Sequence, residues 1–496
     1  MKTQNMTAPL YKVPQSMHGL LRSAEQAAAL IPEGAILAAS GYTSAGDPKA
    51  TLSALATRGA AGDIRSIDLI TAAQLSPPIE DALANAGLLR RRTPFTVSPA
   101  VRKLANRQEL RYVEAAMGKM PRLFASGAFG TPDVAIVEAL ALDDDGRLIP
   151  TASVGMTQLI CRQAKSIIIE LNEAQPALLA GLHDVHEDDP AHCGRSLVSP
   201  SQRIGRPWVQ ADPGKIIAIV RSDQPDYLSP APVPTEIEQA ICRNLMEFLA
   251  DAFPEHTLPP VQTGIGSLSQ AILAAFDGSG YRDLTFFCGA LQAGMVELLA
   301  SGKAAQLSGG SIVTDARTLE LLQTIGPELS ERLVLRSMEV CNGSAAISSV
   351  GLLALNTGIE MDLFGNVNSS HIAGRQVVNG IGGGATFAAN AALSVMLMPS
   401  VRKGGQISCF VPVTPHVDVI HHDVDVVVSE YGVADLRGRD DVECARLLIE
   451  RCAHPDYRPG LAQALEQALS TGGHHPILLE HAFDWQARLQ RTGSML

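Results

Sequence analysis

Short apolar runs that end in glycine-containing loops and give way to helical patterns recur along the chain, and this alternation constrains the fold more than any other feature. Ala35–Ser40 runs into GYTSAGDPK and then a helical pattern. Ser166–Glu170 (SIIIE) is a β-branched run of the kind that suits a strand buried on both faces. Val261–Gly266 precedes SLSQAILAAF, whose apolar spacing suits a helix packed on a sheet. Leu284–Phe287 leads into a helix expected from about Leu291 to Ser301, and Val424–Ser429 repeats the strand pattern. Strand followed by helix, in this order and so often, predicts an α/β protein with parallel sheets covered by helices.

At 496 residues the chain has room for two to four domains of roughly 100–200 residues each. The break is expected at Arg221–Thr235, RSDQPDYLSPAPVPT, which is rich in Pro and Ser and has no hydrophobic period. It divides the chain into an N-terminal domain, 1–228, and a C-terminal domain, 229–496. Directly after it, residues 236–251 read as an amphipathic helix with Thr235 as N-cap. Hydrophobic residues (46%) far outnumber charged ones (18%), which excludes general disorder. A formal charge of −12 argues against a nucleic-acid or anionic-membrane partner. No apolar run nears the roughly 18 residues of a spanning helix, and MKTQNMTAPLYKV lacks the apolar stretch of a secretory signal. Eight cysteines without a CxxC pair predict reduced thiols. These features predict a large, acidic, cytoplasmic enzyme.

Four local motifs carry possible chemistry. In NGIGGGATFAANA (379–391) every residue from Gly380 to Gly384 is glycine except Ile381. Such a loop lets backbone N–H groups approach an anion or oxyanion, with the following AANAALSVML able to start a helix; a tight turn with close packing explains it equally. It is neither a P-loop nor a dinucleotide fingerprint. HVDVIHHDVD (416–425) is rich in metal-ligating residue types but leads into a buried strand, where neighbouring side chains point to opposite faces, so no metal is expected. His183–Asp184 has the composition of a catalytic dyad, but no GxSxG is present, and a polar loop held by its own hydrogen bonds is expected there. Cys288 ends the run DLTFFC, where parallel-sheet enzymes place functional groups, though a core thiol fits as well.

Taken together, several long segments resemble the acetyl-CoA hydrolase/transferase family, the class I carboxylate CoA-transferases. In the first half these are SGYTSAGDPKA (40–50), LANAGLLRRRTPF (83–95), GTPDVAIVEA (130–139), IIIELNEAQP (167–176), GLHD (181–184) and DPGKIIAIV (212–220). In the second half they are GIGSLSQAIL (264–273), FGNVNSSH (364–371), NGIGGGATFAANA, the stretch 411–439 and CAHPDYRPGL (452–461). The resemblance implies two related open, mainly parallel-sheet CoA-transferase domains with the site in the cleft between them, and a homodimer. It implies coenzyme A as the substrate's carrier, with acyl-CoA and a small carboxylate as partners and no metal. In the family a glutamate attacks the acyl-CoA and captures CoA as a glutamyl thioester, which is covalent catalysis by a carboxylate. Tetrahedral oxyanions are expected at backbone amides of Gly266–Leu268 and Gly383–Ala385. The wider oxyanion and CoA-binding set is Gly264, Gly266, Leu268, Asn342, Asn368, Gly382, Gly383, Gly384 and Ala385.

The chain departs from the family pattern at several places. The family glutamate lies in a T-E-V/M-x-x-D-G-M pattern, and the matching stretch here is CGALQAGM, which puts Gly289 at the nucleophile position and Ala293 at the aspartate. Ala385–Thr386–Phe387 replaces GDF or VDF, Ala389 an arginine, Ala116–Met117–Gly118 a His-Leu-Ser-like segment, and Ser348–Ser349 an Arg-Arg pair. Small residues at these positions are expected to free volume, enough for a carboxylate at 289, and to remove charges that recognise a small carboxylate. The leading expectation is therefore a hydrolase of a CoA thioester, or of a β-dicarbonyl C–C bond, that forms no glutamyl-CoA intermediate. Glu430 or Glu114 would be the general base. The alternatives are a CoA-transferase that uses Cys288 as substitute nucleophile, and a non-catalytic CoA-binding paralogue.

Overall fold

The structure, a computed structural model, describes residues 10–187, 194–229 and 233–496; Cys193 and residues 230–232 of the linker lie outside these. The described residues up to Ser229 form one compact unit with Thr285–Val350, and those from 233 to Leu284 form a second with Gly351–Leu496. The first unit thus runs one residue past the 228/229 division and then takes in a stretch of the second half.

In the first unit, seven strands make an all-parallel sheet. Their order is Ile216–Ser222, Ser166–Asn172, Val134–Ala139, Ile36–Ala39, Ile67–Thr71, Leu89–Thr93 and Arg111–Tyr112. The SIIIE run is the second of these, and every residue from Ile167 to Asn172 is buried, as a doubly covered strand requires. The middle strand, Ile36–Ala39, delivers the glycine-containing loop of 41–49 at its carboxyl end, the side on which parallel sheets present functional groups. Strands Leu284–Leu291, Ala304–Ile312, Leu333–Arg336 and His183–Asp184 follow one another in a further stretch of sheet. The apolar run at 284 therefore continues as strand through Gly289, and its helix begins only at Ala293.

His183–Asp184 is not a polar loop. Both residues are buried in a short strand parallel to Leu333–Arg336. Asp184 pairs with the buried Arg336 at 2.5 Å and accepts from the Gly205 amide at 2.7 Å. His183 Nε2 donates to Thr151 O at 2.8 Å, and burial pushes its pKa down to about 4.

In the second unit the strand order is Val261–Thr263, Leu353–Thr357, Leu393–Leu397, Val426–Ser429 and Gly432–Asp435, with only the last pair antiparallel. Thr235 caps helix Glu236–Ala252 through a reciprocal bond with Glu238, a device worth about 1 kcal/mol. After the glycine-rich loop only Gly384–Asn390 is helical, and LSVML, expected to prolong that helix, is instead the central strand Leu393–Leu397. All five of its residues are buried, which a surface helix would not allow. Among the described residues no helix is long and apolar enough to cross a membrane, and the seven described cysteines are buried and unbridged.

Candidate active site

The loop after the middle strand of the first unit turns back on itself. Tyr42 N donates to Ala45 O at 3.0 Å, and Thr43 and Ser44 both take left-handed backbone, at φ 54° and 65°. Two consecutive non-glycine residues in that region persist only where surrounding contacts over-determine them. Those contacts are present: Thr43 Oγ1 lies 2.6 Å from Ser311 Oγ, and Gly46 N donates to Asp226 Oδ1 at 3.2 Å. Lys49, which closes the loop, is buried and pairs with Glu138 and Asp226, each at 2.7 Å. Burial raises the Asp47 carboxyl to about 7 and that of Glu138 to about 8, despite the nearby ammonium. Burial lowers the Lys49 pKa, but Glu138 and Asp226 outweigh it and hold the group charged.

This scaffold presents Tyr42 to Gly289. A Cβ built on Gly289 would come within 2.9 Å of the Tyr42 hydroxyl, so the volume expected to be free at this position is taken by a phenol. The sequence-based expectation of room for a carboxylate there is corrected on this ground. Tyr42 donates to Asn342 Oδ1 at 2.6 Å, and Met117 Sδ lies 4.0 Å from the same hydroxyl. Asn342 is fully buried, and its Nδ2 has no hydrogen-bond partner among the described residues. Glu114, half-buried, sits three residues before Met117 on the segment that reaches Tyr42. Cys288 is fully buried, and as the strand neighbour of Gly289 it projects to the other face. Tyr42 lay inside the quoted GYTSAGDPK motif, and its position at a strand's carboxyl end was the available signal for it.

In the second unit, Gly264, Gly266 and Leu268 line a cavity of about 160 Å³ together with Glu238, Thr357 and Arg402. Gly266 caps helix Ser267–Gly278 at φ 134° and ψ −177°, a conformation open to glycine alone, and the helix's first turn, Ser267–Ser269, lines the same cavity. The loop Gly382–Gly384 and Ala385 is partly exposed, with Asn356 Oδ1 3.5 Å from the Cβ position of Gly384. Asn368 is buried and builds its own turn: Nδ2 donates to His371 O at 2.6 Å, while Oδ1 accepts from Ser370 N and His371 N. Glu430 accepts from Ser400 N at 2.9 Å and from Ser400 Oγ at 2.6 Å. The polar run 416–425 disperses: His416 pairs with Asp418 at 3.0 Å, while Asp425 accepts from Ser394 N at 2.8 Å.

These loops sit on segments with clear relatives. The acetyl-CoA hydrolase/transferase N-terminal domain matches residues 15–221, and the C-terminal domain of the same family matches residues 320–465. The chain belongs to the acetyl-CoA hydrolase/transferase family. It is 36% identical to the succinyl-CoA:acetate CoA-transferase of Clostridium kluyveri, over 95% of this chain and 89% of that one. It is 32% identical to the acetyl-CoA hydrolase of Schizosaccharomyces pombe, over 97% of this chain and 99% of that one. RipA from Yersinia pestis shares the fold, with a TM-score of 0.70 at 20% identity over 90% of this chain and 97% of that one. Within the family frame, Glu114, Cys288, Gly289 and Asn342 fall in the first unit, whereas Glu430, the GIG turn, Asn368 and the glycine-rich loop fall in the second.

Proposed function

We propose that this acyl-CoA-processing enzyme hydrolyses a CoA thioester, or a β-dicarbonyl C–C bond, without a glutamyl-CoA intermediate. The carrying observation is Gly289 under the Tyr42 hydroxyl: the position that the motif resemblance matches to the family glutamate holds no side chain and faces a phenol. In this reading the acyl carbonyl is polarised by the Asn342 amide beside residue 289. Water adds to the carbonyl carbon while a carboxylate base takes one of its protons. Collapse of the adduct breaks the C–S bond, and the CoA thiolate leaves and is protonated.

Both oxygens of Glu430 are engaged by Ser400, so we place the base at Glu114, whose segment reaches Tyr42 through Met117. Burial of Cys288 weighs against the transferase alternative with a substitute thiolate. Coenzyme A enters as part of the substrate, and a small carboxylate acceptor is not needed. A cytoplasmic homodimer completes the reading, on the acidic charge, the unbridged cysteines and the family resemblance. The test is mass spectrometry of the protein after incubation with a panel of acyl-CoAs and trapping by hydroxylamine or borohydride. Hydrolysis with no adduct is the expected result, and a covalent acyl or CoA adduct on the chain overturns the reading. CoA binding without any turnover would instead favour a non-catalytic paralogue.

A further inference from the structure

We propose that Tyr42 is a positioning residue that closes the side-chain space of residue 289 and, through its bond to Asn342 Oδ1, aims the Asn342 amide N–H at the acyl carbonyl. The inference rests on the reading that the thioester is handled beside residue 289, and it names the group that replaces a side chain there.

Two glycines make a slot for one ring. A Cβ at 289 would meet the Tyr42 hydroxyl at 2.9 Å, and a Cβ at 310 would meet Tyr42 Cε1 at 3.2 Å and Gly289 O at 3.0 Å. Neither contact leaves room for a methyl group without movement of a fully buried, stiff aromatic side chain. The ring is held in the slot by a backbone in the left-handed region at Thr43 and Ser44, pinned at Ser311 and Asp226. Strain held this firmly next to a candidate site is the pattern of a preorganised group.

The slot has a polar end. Tyr42 donates to Asn342 Oδ1 at 2.6 Å, and Cys341 Sγ points at the same oxygen from 3.3 Å. Asn342 Nδ2 has no partner among the described residues although Asn342 is fully buried, and it lies 3.9 Å from the Cβ position of Gly289. Buried N–H groups are rarely left unpaired, so this one calls for an acceptor that arrives with the substrate. Gly289 itself is partly exposed, whereas Tyr42 and Asn342 behind it are fully buried. A bond accepted at Oδ1 polarises the amide and strengthens donation from Nδ2 to an incoming carbonyl oxygen. Burial keeps the phenol protonated well above its ordinary pKa, so it remains a donor across the working pH range.

The test combines two variants with two readouts. Tyr42→Phe removes the hydroxyl and keeps the ring; it should fold, and kcat for thioester hydrolysis should fall about tenfold or more with KM little changed. Infrared spectra with a 13C-labelled ketone analogue of acyl-CoA, CH2 in place of sulfur, report the carbonyl without turnover. The stretch should shift to lower frequency on the wild-type protein, and most of that shift should vanish in Tyr42→Phe. An equal shift in both proteins overturns the positioning role. Gly289→Ala should lower the melting temperature in the wild-type background and do so clearly less when combined with Tyr42→Phe. Equal effects in both backgrounds, or failure to fold in both, overturn the slot. If the wild-type protein forms a covalent adduct, the hydrolytic reading fails, while the melting and infrared comparisons still decide the role of Tyr42.

Discussion

Lys49 Nζ donates to Asp226 Oδ1 at 2.7 Å across 177 residues of chain, and it does so inside the first unit, with side-chain exposures of 7% and 3%. The same ammonium bonds Glu138 and the backbone of Asp47, so one cation ties the Tyr42 loop both to strand Val134–Ala139 and to the segment after strand Ile216–Ser222. Removing one partner of a buried ion pair leaves the other charge uncompensated, a loss of roughly 3–5 kcal/mol. Lys49→Met is therefore expected to lower stability by about that amount in urea melts, and with it the order of the Tyr42 loop. A midpoint within experimental error of the wild type would refute the role.

His183 gives a pH dependence whose sign can be worked out. Its pKa falls from about 6.5 to about 4 on folding because burial disfavours the imidazolium, and Nδ1 is buried without a partner among the described residues. The unfolded chain therefore binds a proton between those values that the native state refuses. The stabilisation is complete above pH 6.5 and is lost as pH falls toward 4, by about 3 kcal/mol in all. His183→Gln can still donate to Thr151 O but does not titrate, so its stability should fall less steeply than the wild type's over that interval. Parallel curves of stability against pH for the two proteins would exclude His183 as the source.

Much of the fold was legible in the chain because local signals agreed with the tertiary outcome. The Thr235–Glu238 capping box lies three residues apart, and SIIIE is a β-branched run too short for a helix. LSVML was misread because a five-residue apolar run has no period of its own once AANAA precedes it. His183–Asp184 was misread because Arg336, which neutralises Asp184, is 152 residues away. The site was less legible for the same reason. Tyr42 acts on Asn342 across 300 residues, and a glycine in the sequence reads as empty space until the residue that fills it is located.

Glu430 separates a structural carboxylate from a catalytic one. It accepts two hydrogen bonds from Ser400, which is itself fully buried. Glu430→Ala strands the Ser400 N–H and should cost roughly 1–3 kcal/mol of stability. Glu114→Gln, by contrast, should leave the melting temperature nearly unchanged while thioester hydrolysis falls by about 10²–10⁴, the usual contribution of a general base. Normal turnover in Glu114→Gln, together with a collapse of turnover in a well-folded Glu430→Gln, would move the base to Glu430.

Gly264 and Gly266 flank the same turn, yet their substitutions should diverge. A Cβ at either position would meet nothing within 4 Å, so crowding cannot distinguish them. Backbone can: Gly266 sits at φ 134° and ψ −177°, whereas Gly264 is not among the glycines with positive φ. Alanine at 266 must leave that region or hold a strained conformation at a cost of order 1–3 kcal/mol, and relaxing it swings the first turn of helix Ser267–Gly278 away from the 160 Å³ cavity. Alanine at 264 pays no such strain and narrows the unfolded ensemble, which leaves stability within about 1 kcal/mol of the wild type or slightly above it. Calorimetric titration with CoA should accordingly give an affinity for Gly266→Ala that is weaker by about tenfold or more than that of Gly264→Ala. Indistinguishable titrations for the two variants would mean that the geometry of this turn does not govern how the chain holds its ligand.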